Sequence, residues 1–392
     1  MKRIAIVFEG GLDSPTGLTN AVINRVVALK QSGVFQVDVY DILSYPTGLA
    51  KSLMPKSKFK GQNEVVIDGL SIKVLWFGRP LVDAIIEFKL HKKPYLFDRF
   101  LRRNAQQFTS YELISAHAFI GAKLAYFVKQ NFGIPFCVTW HGSEIHSIPE
   151  NNAYQKALTR QIMENANTNF FVSDSLRDYA EAHFTKNLNS EILYNGVSPL
   201  FYRYTPEQRL SLRRSYSVDN QKVVAFVGNL VSVKNAALLP EIFKRVRDKY
   251  EGRMAFWIIG RGSEYSLIEQ RCSDYNLPFK MWGYQGSAVL SQMLQCVDVV
   301  VLPSKEEGLG MVLLEAISCG ASAVGSDVGG IPEVIGKGNS ISLGADFVER
   351  FSDKVLACLE HPEIMRLDPH FSWTVTAKKE TESYMSILNG KN

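Results

Sequence analysis

Four glutamates stand in the stretch from Val297 to Glu333, VDVVVLPSKEEGLGMVLLEAISCGASAVGSDVGGIPE, which has the pattern of an anion-binding segment. An apolar run ending at Pro303 predicts a buried strand, and a helical pattern begins near Leu309 after a short polar loop. Gly308 and Gly310 would let backbone N–H groups approach a ligand, and a helix start supplies further free donors. Ligands of open parallel sheets bind at the carboxyl ends of strands, so this loop is predicted to face a binding crevice.

Glu315 is the single carboxylate in the helical part of that stretch, among Met311, Leu314 and Ile317. Burying it without partners would cost several kcal/mol, on the order of the penalty for an uncompensated polar group or more. A pair of vicinal hydroxyls such as a ribose would satisfy it, as an acidic residue does in dinucleotide folds. Bonds to local backbone or to a neighbouring basic residue would satisfy it equally well.

Strands that alternate with helices are predicted in both halves of the chain, which indicates parallel βαβ layers. The predicted strands are Ile4 to Phe8, Phe35 to Tyr40, Phe136 to Trp140, Asn169 to Val172, Val223 to Val227, Ala255 to Ile259, Lys280 to Trp282, Asp298 to Leu302 and Ala323 to Ser326. The first predicted helix runs from Gly17 to Gln31. We therefore predict an α/β protein of two doubly wound, Rossmann-like domains that face each other across a cleft.

The predicted boundary lies in the turn-rich, polar segment from Asn195 to Asp219. The prediction assigns residues 1–200 to an N-terminal domain and residues 201–370 to a C-terminal domain. Residues 371–392 are predicted to form a closing helix, which would either pack back toward the first domain or cap the second.

Composition excludes several classes of protein. The 392 residues carry a net charge of +5, which is too small for a protein that coats nucleic acid, and no nucleic-acid partner is expected. The apolar run in MKRIAIVFEGG is too short for a signal peptide or a membrane span. Five dispersed cysteines without a CxxC pair fit a reducing cytoplasm, and no strand is followed by the GxGxxG pattern of redox dinucleotide enzymes.

The order of the motifs resembles the retaining glycosyltransferases of family 4 (glycosyl transferases group 1), which have the GT-B fold. PSKEEGLGMVLLEA, with Glu307 and Glu315 eight positions apart, is similar to the acidic motif of that family. The other matching segments, in chain order, are TWHGSE (139–144), VSDSLRDY (172–179), ILYNGV (192–197), VVAFVGNLVSVKN (223–235), IIGRGSE (258–264), SDVGGIPEVI (326–335) and FSW (371–373).

The resemblance implies a metal-independent enzyme that needs no cofactor and takes a nucleotide-diphosphate sugar, most simply a UDP- or GDP-sugar, as co-substrate. It also implies that residues 1–200 bind the acceptor and that residues 201–370 bind the nucleotide sugar. Carried over to this chain, the implied roles are Glu307 with Gly308, Leu309 and Gly310 at the sugar hydroxyls, Glu315 at the ribose, Lys234 at the diphosphate, Tyr284 beside the base, His141 at the sugar from the first domain, and Gly17 at the start of the first helix. Taken alone, His141 would read as a structural histidine and Gly17 as an ordinary helix-start glycine.

The implied chemistry retains the anomeric configuration, with the leaving diphosphate acting as the base, so that Glu307 positions the sugar and is not assigned as a nucleophile. A fixed cation and helix N–H donors would stabilise the charge that develops on the leaving group. Two residues depart from the family pattern: Asn229 stands where an arginine is usual, and Arg261 stands at a position that is often acidic. Arg261 is predicted to replace the missing charge.

Three functional classes stay open at this stage. The leading one is sugar transfer in the assembly of a cell-surface polysaccharide or glycoconjugate. The second is a sugar-nucleotide epimerase or hydrolase of the same fold, and the third is a non-catalytic nucleotide-sugar-binding subunit, which Asn229 keeps open.

The acceptor is predicted to be a glycan or a lipid-linked sugar. Two basic clusters of the first domain would suit the anionic inner face of the plasma membrane, and a solvated protein surface is the alternative. The first comprises Lys51, Lys56, Lys58 and Lys60. The second comprises Lys89, Lys92, Lys93, Arg99, Arg102 and Arg103, interleaved with Phe88, Leu90, Tyr95, Leu96, Phe97, Phe100 and Leu101. The protein is thus expected in the cytoplasm, peripheral at the membrane.

Overall fold

The computed structural model describes residues 1–11, 17–47, 61–67, 69–146 and 152–390, which form two compact units. The first unit contains Met1–Gly196 and Ser372–Asn392, and the second contains Val197–Phe371. Both are mainly parallel α/β sheets with helices between most successive strands, as the alternation of apolar runs and helical stretches predicts.

The first unit has an eight-stranded sheet with the strand order β3-β4-β2-β1-β5-β6-β7-β8. Only β3 runs antiparallel to its neighbour among the strands described in this unit. Its strands are β1 (Lys2–Phe8), β2 (Phe35–Pro46), β3 (Glu64–Ile67), β4 (Leu70–Arg79), β5 (Leu113–His117), β6 (Phe136–Trp140), β7 (Thr168–Phe171) and β8 (Ser190–Ile192). Its helices are α1 (Gly17–Gln31), α2 (Leu81–Phe88), α3 (Tyr95–Asn104), α4 (Ala118–Phe132), α5 (Ala153–Asn165) and α6 (Asp174–His183).

The second unit has a six-stranded, all-parallel sheet with the order β11-β10-β9-β12-β13-β14. Its strands are β9 (Lys222–Val227), β10 (Met254–Ile259), β11 (Phe279–Gly283), β12 (Val299–Leu302), β13 (Ser322–Ser326) and β14 (Ser340–Ile341). Its helices are α7 (Pro206–Ser215), α8 (Leu239–Lys249), α9 (Tyr265–Asp274), α10 (Ser287–Cys296), α11 (Met311–Ser318), α12 (Ile331–Ile335) and α13 (Phe347–Glu360).

The central strands are apolar along their length because helices cover both faces of each sheet. Ile4 to Phe8 of β1 and Val299 to Val301 of β12 have no exposed surface. Fully burying one such side chain stabilises a fold by roughly 1.5–3 kcal/mol, so these strands anchor the loops that follow them.

The closing helix α14 (Trp373–Leu388) belongs to the first unit, where it packs against α1. Its Tyr384 is fully buried, lies against the rings of Phe35 and Phe170, and donates a hydrogen bond to Ser115 Oγ at 2.6 Å. Tyr384 thus anchors the closing helix in the core of the first unit.

Candidate functional site

The strand order of the second unit reverses between β9 and β12. From β9 the sheet proceeds to β10 and β11 on one side, and from β12 it proceeds to β13 and β14 on the other. The loops after these two strands therefore diverge, and open parallel sheets bind ligands in the crevice this divergence creates. Lys234 follows β9 and Glu307 follows β12, so the two predicted site residues flank the reversal point.

Lys234 and Glu307 form an ion pair at that point. Lys234 Nζ lies 2.5 Å from Glu307 Oε2, and Ser304 Oγ donates to the same oxygen at 3.4 Å. The side chains are 23% and 14% exposed, so the pair is partly shielded and still reachable by a ligand. The predicted cation and the predicted carboxylate are thus brought together, with the second oxygen of Glu307 outside the bond to Lys234.

The loop that carries Glu307 is held by backbone contacts on two sides. Lys305 N donates to Val233 O at 2.9 Å, which ties the loop to the segment that bears Lys234. Gly329 has a φ of +52°, and a Cβ atom there would lie 1.8 Å from Glu307 O, so only glycine fits. The glycine pair of the predicted closing motif therefore supports the Glu307 backbone.

The helix α11 starts immediately after this loop. Gly308, Leu309 and Gly310 are buried, and Gly310 caps the helix with a left-handed φ of 88°. The first N–H groups of a helix lack intrahelical acceptors and carry partial positive charge, so this start is suited to a phosphate or to sugar hydroxyls. This helix start is the segment at which the sequence predicts an anion site.

Glu315 projects from α11 into apolar surroundings. Desolvation raises the pKa of its carboxyl group to about 8, so the unliganded group is mostly protonated at neutral pH. It has no hydrogen-bond or ion-pair partner among the residues that the structure describes, and its surface is only partly buried. In the described part of the chain, neither local backbone nor a neighbouring basic residue thus satisfies this carboxyl group, which leaves a ligand hydroxyl pair as the other predicted partner.

The remaining predicted donor residues lie at the ends of β9, β10 and β11. Asn229, Arg261 and Tyr284 are all exposed. The Arg261 side chain passes near the turn at Gly283, where a Cβ atom would lie 3.8 Å from Arg261 Nε. Gly260 is required by packing, since its Cβ would lie 1.8 Å from Gly228 O.

In the first unit, His141 stands at the end of β6 and pairs with His117 at the end of β5. His117 Nδ1 and His141 Nε2 are 3.1 Å apart, and Glu144 accepts a hydrogen bond from the His141 backbone N–H. Burial and the nearby Arg25 guanidinium lower the pKa of His141 to about 3 and that of His117 well below its usual range. Both imidazoles are therefore neutral at physiological pH.

Arg25, which lies on α1, is the buried cation behind this pair. Its guanidinium donates to Thr139 Oγ1 at 2.8 Å and to Leu193 O at 3.3 Å, and its Nε lies 3.8 Å from Glu380 Oε2 on α14. Sequence reasoning missed both Arg25 and His117. A histidine at the end of the short apolar run Leu113 to His117 was the available signal, because that run is a strand ending at the ligand-binding edge of a sheet.

Gly17 begins α1, and a Cβ atom placed on it would meet nothing within 4 Å. The described atoms around this position therefore do not require glycine. A site role and an ordinary helix-start glycine are both compatible with this geometry. Among the residues described, no cluster of three or more His, Cys, Asp or Glu side chains could hold a metal ion. Within the same residues, no helix is both long and apolar enough to cross a membrane.

Comparison with protein families decides the class. Residues 22–199 match the family described as Glycosyltransferase Family 4, and residues 221–361 match Glycosyl transferases group 1. The chain belongs to glycosyltransferase family 4. The two matches cover the two predicted domains in the predicted order, which confirms the resemblance seen in the motifs.

Curated relatives are distant. N-acetyl-alpha-D-glucosaminyl L-malate synthase of Bacillus anthracis is 26% identical over 219 residues, which are 55% of this chain and 56% of that protein. D-inositol 3-phosphate glycosyltransferase of Segniliparus rotundus is 23% identical over 308 residues, which are 71% of this chain and 67% of that protein. With the first of these relatives the similarity thus spans only about half of either protein.

Solved structures confirm the GT-B class of two Rossmann-like domains. Sucrose-phosphate synthase from Thermosynechococcus elongatus matches with a TM-score of 0.79 at 17% identity, over all of both chains. HepE of Anabaena, solved in complex with UDP and glucose, matches with a TM-score of 0.69 at 15% identity, over 100% of this chain and 98% of that one. At these identities the likeness concerns the fold.

Proposed function

We propose that this family 4 chain transfers a sugar from a nucleotide-diphosphate sugar to an acceptor hydroxyl with retention of the anomeric configuration. The observation that carries the proposal is the Lys234–Glu307 pair at the β9/β12 reversal, beside the start of α11. A relative of the same fold has been solved with UDP and glucose, which supports a UDP-sugar as the first donor to test, with a GDP-sugar second.

In the proposed complex, Lys234 and the first N–H groups of α11 lie at the diphosphate, and Glu307 with the Gly308–Gly310 backbone holds the sugar hydroxyls. Cleavage of the glycosidic bond moves negative charge onto the leaving diphosphate. A fixed cation and aligned N–H donors stabilise that developing charge more than they stabilise the ground state, which lowers the barrier without a metal ion. The phosphate that gains the charge takes the proton of the attacking hydroxyl.

Glu315 is the proposed ribose contact, and Tyr284 is proposed to frame the base. A carboxyl that has no partner among the described residues and has a pKa of about 8 can donate one hydrogen bond and accept others, as two vicinal hydroxyls require. The energetic cost of its unpartnered state in the free protein is recovered when the ribose binds.

The proposed role of His141 is to contact the transferred sugar as a neutral imidazole. We propose a glycan or lipid-linked acceptor, a place in cell-surface polysaccharide or glycoconjugate assembly, and a cytoplasmic location at the membrane surface. The exposed cations of the first unit support this location.

The test is calorimetric titration of UDP-, GDP-, ADP- and dTDP-sugars into the purified protein, combined with an assay for slow release of free nucleotide. We expect one nucleotide to bind and Glu315→Gln to weaken that binding about tenfold. The matched control is Glu306→Gln, which changes a neighbouring glutamate outside the proposed ribose contact. Failure of all four nucleotides to bind would contradict the proposal, and release without transfer to any acceptor would favour the hydrolase or epimerase alternative.

A further inference from the structure

The helix α2 buries acidic side chains and exposes apolar ones, the reverse of an ordinary surface helix. Its buried residues are the two acids Asp83 and Glu87, each 1% exposed. Four of its apolar side chains, Leu81, Val82, Ile85 and Phe88, are 56%, 57%, 42% and 56% exposed, and Ile86 is half-buried. A surface helix normally turns its apolar face toward the core and its charges toward water.

Specific polar contacts fix this orientation. Asp83 accepts hydrogen bonds from the backbone N–H groups of Leu96 at 3.0 Å and Phe97 at 3.2 Å, at the first turn of α3. Glu87 forms an ion pair with Arg79 and accepts a hydrogen bond from Gln155 Nε2 at 3.1 Å. Rotating α2 to bury its apolar side chains would leave these groups unpaired, which is costly in a buried environment.

The apolar surface continues into the next segment. Leu90, Tyr95 and Leu96 are 55%, 66% and 40% exposed, whereas Phe97 and Leu101 are buried and Phe100 is half-buried. The sequence-based grouping of all these side chains with the basic cluster therefore holds only in part. We call the outward set the α2–α3 apolar face, and it comprises Leu81, Val82, Ile85, Phe88, Leu90, Tyr95 and Leu96.

Cations border this face without matching anions. Lys89, Lys92, Arg99 and Arg103 are exposed and have no ion-pair partner among the described residues. Arg99 and Arg103 lie one helical turn apart and continue the exposed side of α3 that Tyr95 and Leu96 begin. Arg102 lies instead over the ring of Phe127 at 3.8 Å.

The cations that border the α2–α3 apolar face indicate which kind of partner binds it. A second copy of the chain using the same patch would bring like charges together, because a two-fold interface joins identical surfaces. An anionic lipid surface offers both a complement to the cations and an apolar layer for the side chains of α2. Segments with Lys and Arg beside exposed aliphatic and aromatic residues bind in this interfacial mode.

We propose that the α2–α3 apolar face and its bordering cations dock the first unit onto an anionic membrane, with α2 lying in the interfacial plane. This surface deepens the proposed function, since it would hold the enzyme where a lipid-linked acceptor is embedded. Docking itself needs no sugar nucleotide, so it can succeed or fail independently of transfer.

The experiment is vesicle flotation of the intact protein, without nucleotide, on phosphatidylcholine vesicles with and without phosphatidylglycerol. We expect binding to the anionic vesicles, weakened by high salt, and little binding to phosphatidylcholine alone. Lys89→Glu/Lys92→Glu should weaken binding at least tenfold, because each basic residue contributes about 1 kcal/mol near such a surface. Ile85→Ser/Phe88→Ser should weaken it to a similar degree while leaving the electrostatic salt dependence in place.

The matched controls exchange equally exposed residues of the second unit. Leu267→Ser/Val289→Ser is the apolar control, and Arg271→Glu/Lys337→Glu is the charge control, and neither should reduce flotation. Thermal unfolding and nucleotide titration of each variant show whether it is folded and whether the donor site is intact. Absence of flotation by the unaltered protein would overturn the proposal, as would dimerisation that Ile85→Ser/Phe88→Ser abolishes in the absence of any vesicle binding.

Discussion

The two sheets reverse their strand order at corresponding places, but the groups found there differ. In the second unit, the ends of β9 and β12 carry a partly exposed ion pair, Lys234 with Glu307, next to a helix start. In the first unit the order reverses between β1 and β5, and His117 at the end of β5 pairs with His141 as two neutral imidazoles. One fold thus presents a charged site suited to anions in one unit and a desolvated hydrogen-bonding site in the other.

The difference follows from burial. Lys234 and Glu307 are partly exposed and lie against each other, whereas His117 is fully buried near the Arg25 cation, and both its burial and that cation favour the neutral form of His117. We propose that the second unit binds the charged part of the donor, and that the first unit contributes polar groups whose hydrogen-bonding direction is set by their neighbours.

Replacing the cation of the second unit should have the largest effect. Lys234→Met removes the charge proposed to stabilise the leaving diphosphate, and we expect sugar transfer to fall about 10²- to 10³-fold, the range seen when one such electrostatic donor is lost. Steady-state kinetics with the donor identified by titration would measure this. Lys305→Met is the control, because Lys305 is a nearby exposed lysine whose Nζ contacts only Ser232 Oγ among the described residues, at 3.2 Å. Equal activity of the two variants would remove Lys234 from the site.

Activity should depend on which nitrogen donates in the hydrogen bond between His117 and His141 of the first unit. His117 Nε2 is buried and has no partner among the described residues, whereas a proton on Nδ1 has His141 Nε2 as an acceptor at 3.1 Å. We therefore expect His117 Nδ1–H to donate to His141 Nε2, which leaves the His141 proton on Nδ1.

His117→Leu should then reduce kcat/KM about tenfold, whereas His117→Asn, whose amide N–H can replace Nδ1–H, should retain most of it. The ¹⁵N shifts of His141 report the tautomer directly and separate positioning from a merely structural loss. A proton on Nε2 of His141 in the native protein would contradict the expected direction.

Glu315 should make stability depend on pH in a diagnostic way. Its ordinary pKa is 4.5 and burial raises the folded value to about 8, so the folded state binds more protons between those values and loses stability as pH rises through them. Glu315→Gln should therefore raise the melting temperature at pH 8.5 and change it little at pH 4.5. A melting temperature that Glu315→Gln leaves unchanged at both values would show that the carboxyl group is solvated.

The exposed departures from the family pattern should have the smallest effects. Asn229→Arg, which restores the usual cation, should tighten donor binding by no more than about fivefold, because exposed charges contribute roughly 1 kcal/mol or less. Arg261→Ala should weaken it by a similar factor. Donor titration checks both, and full affinity and activity in Arg261→Ala would show that Arg261 does not replace the missing charge.

Much of the fold could be predicted because the central strands are continuous apolar runs. The first predicted helix, Gly17 to Gln31, and the strand Phe136 to Trp140 agree with the structure at both ends. The edge strands β3, β8 and β14 were not predicted, because they are short and carry few buried apolar residues. The strand β5 was missed because its run is interrupted by Ser115 and ends in a histidine.

The candidate site was predictable in the second unit, where its residues follow one another in recognisable motifs along the chain. The site of the first unit was less so, because Arg25 and His117 lie far apart in sequence and meet only through the packing of α1 against the sheet. The outward orientation of α2 was also hidden, since it depends on contacts of Asp83 and Glu87 with partners in other elements. The lysines from Lys51 to Lys60, predicted to bind a membrane, lie outside the described residues.

The most direct test of the central claim is a crystal structure of the protein with the nucleotide identified by titration. We expect the diphosphate to lie at Lys234 and the first N–H groups of α11, with the ribose hydroxyls bonded to Glu315. Density for the nucleotide at the β1/β5 reversal of the first unit, with Lys234 still bonded only to Glu307, would contradict it.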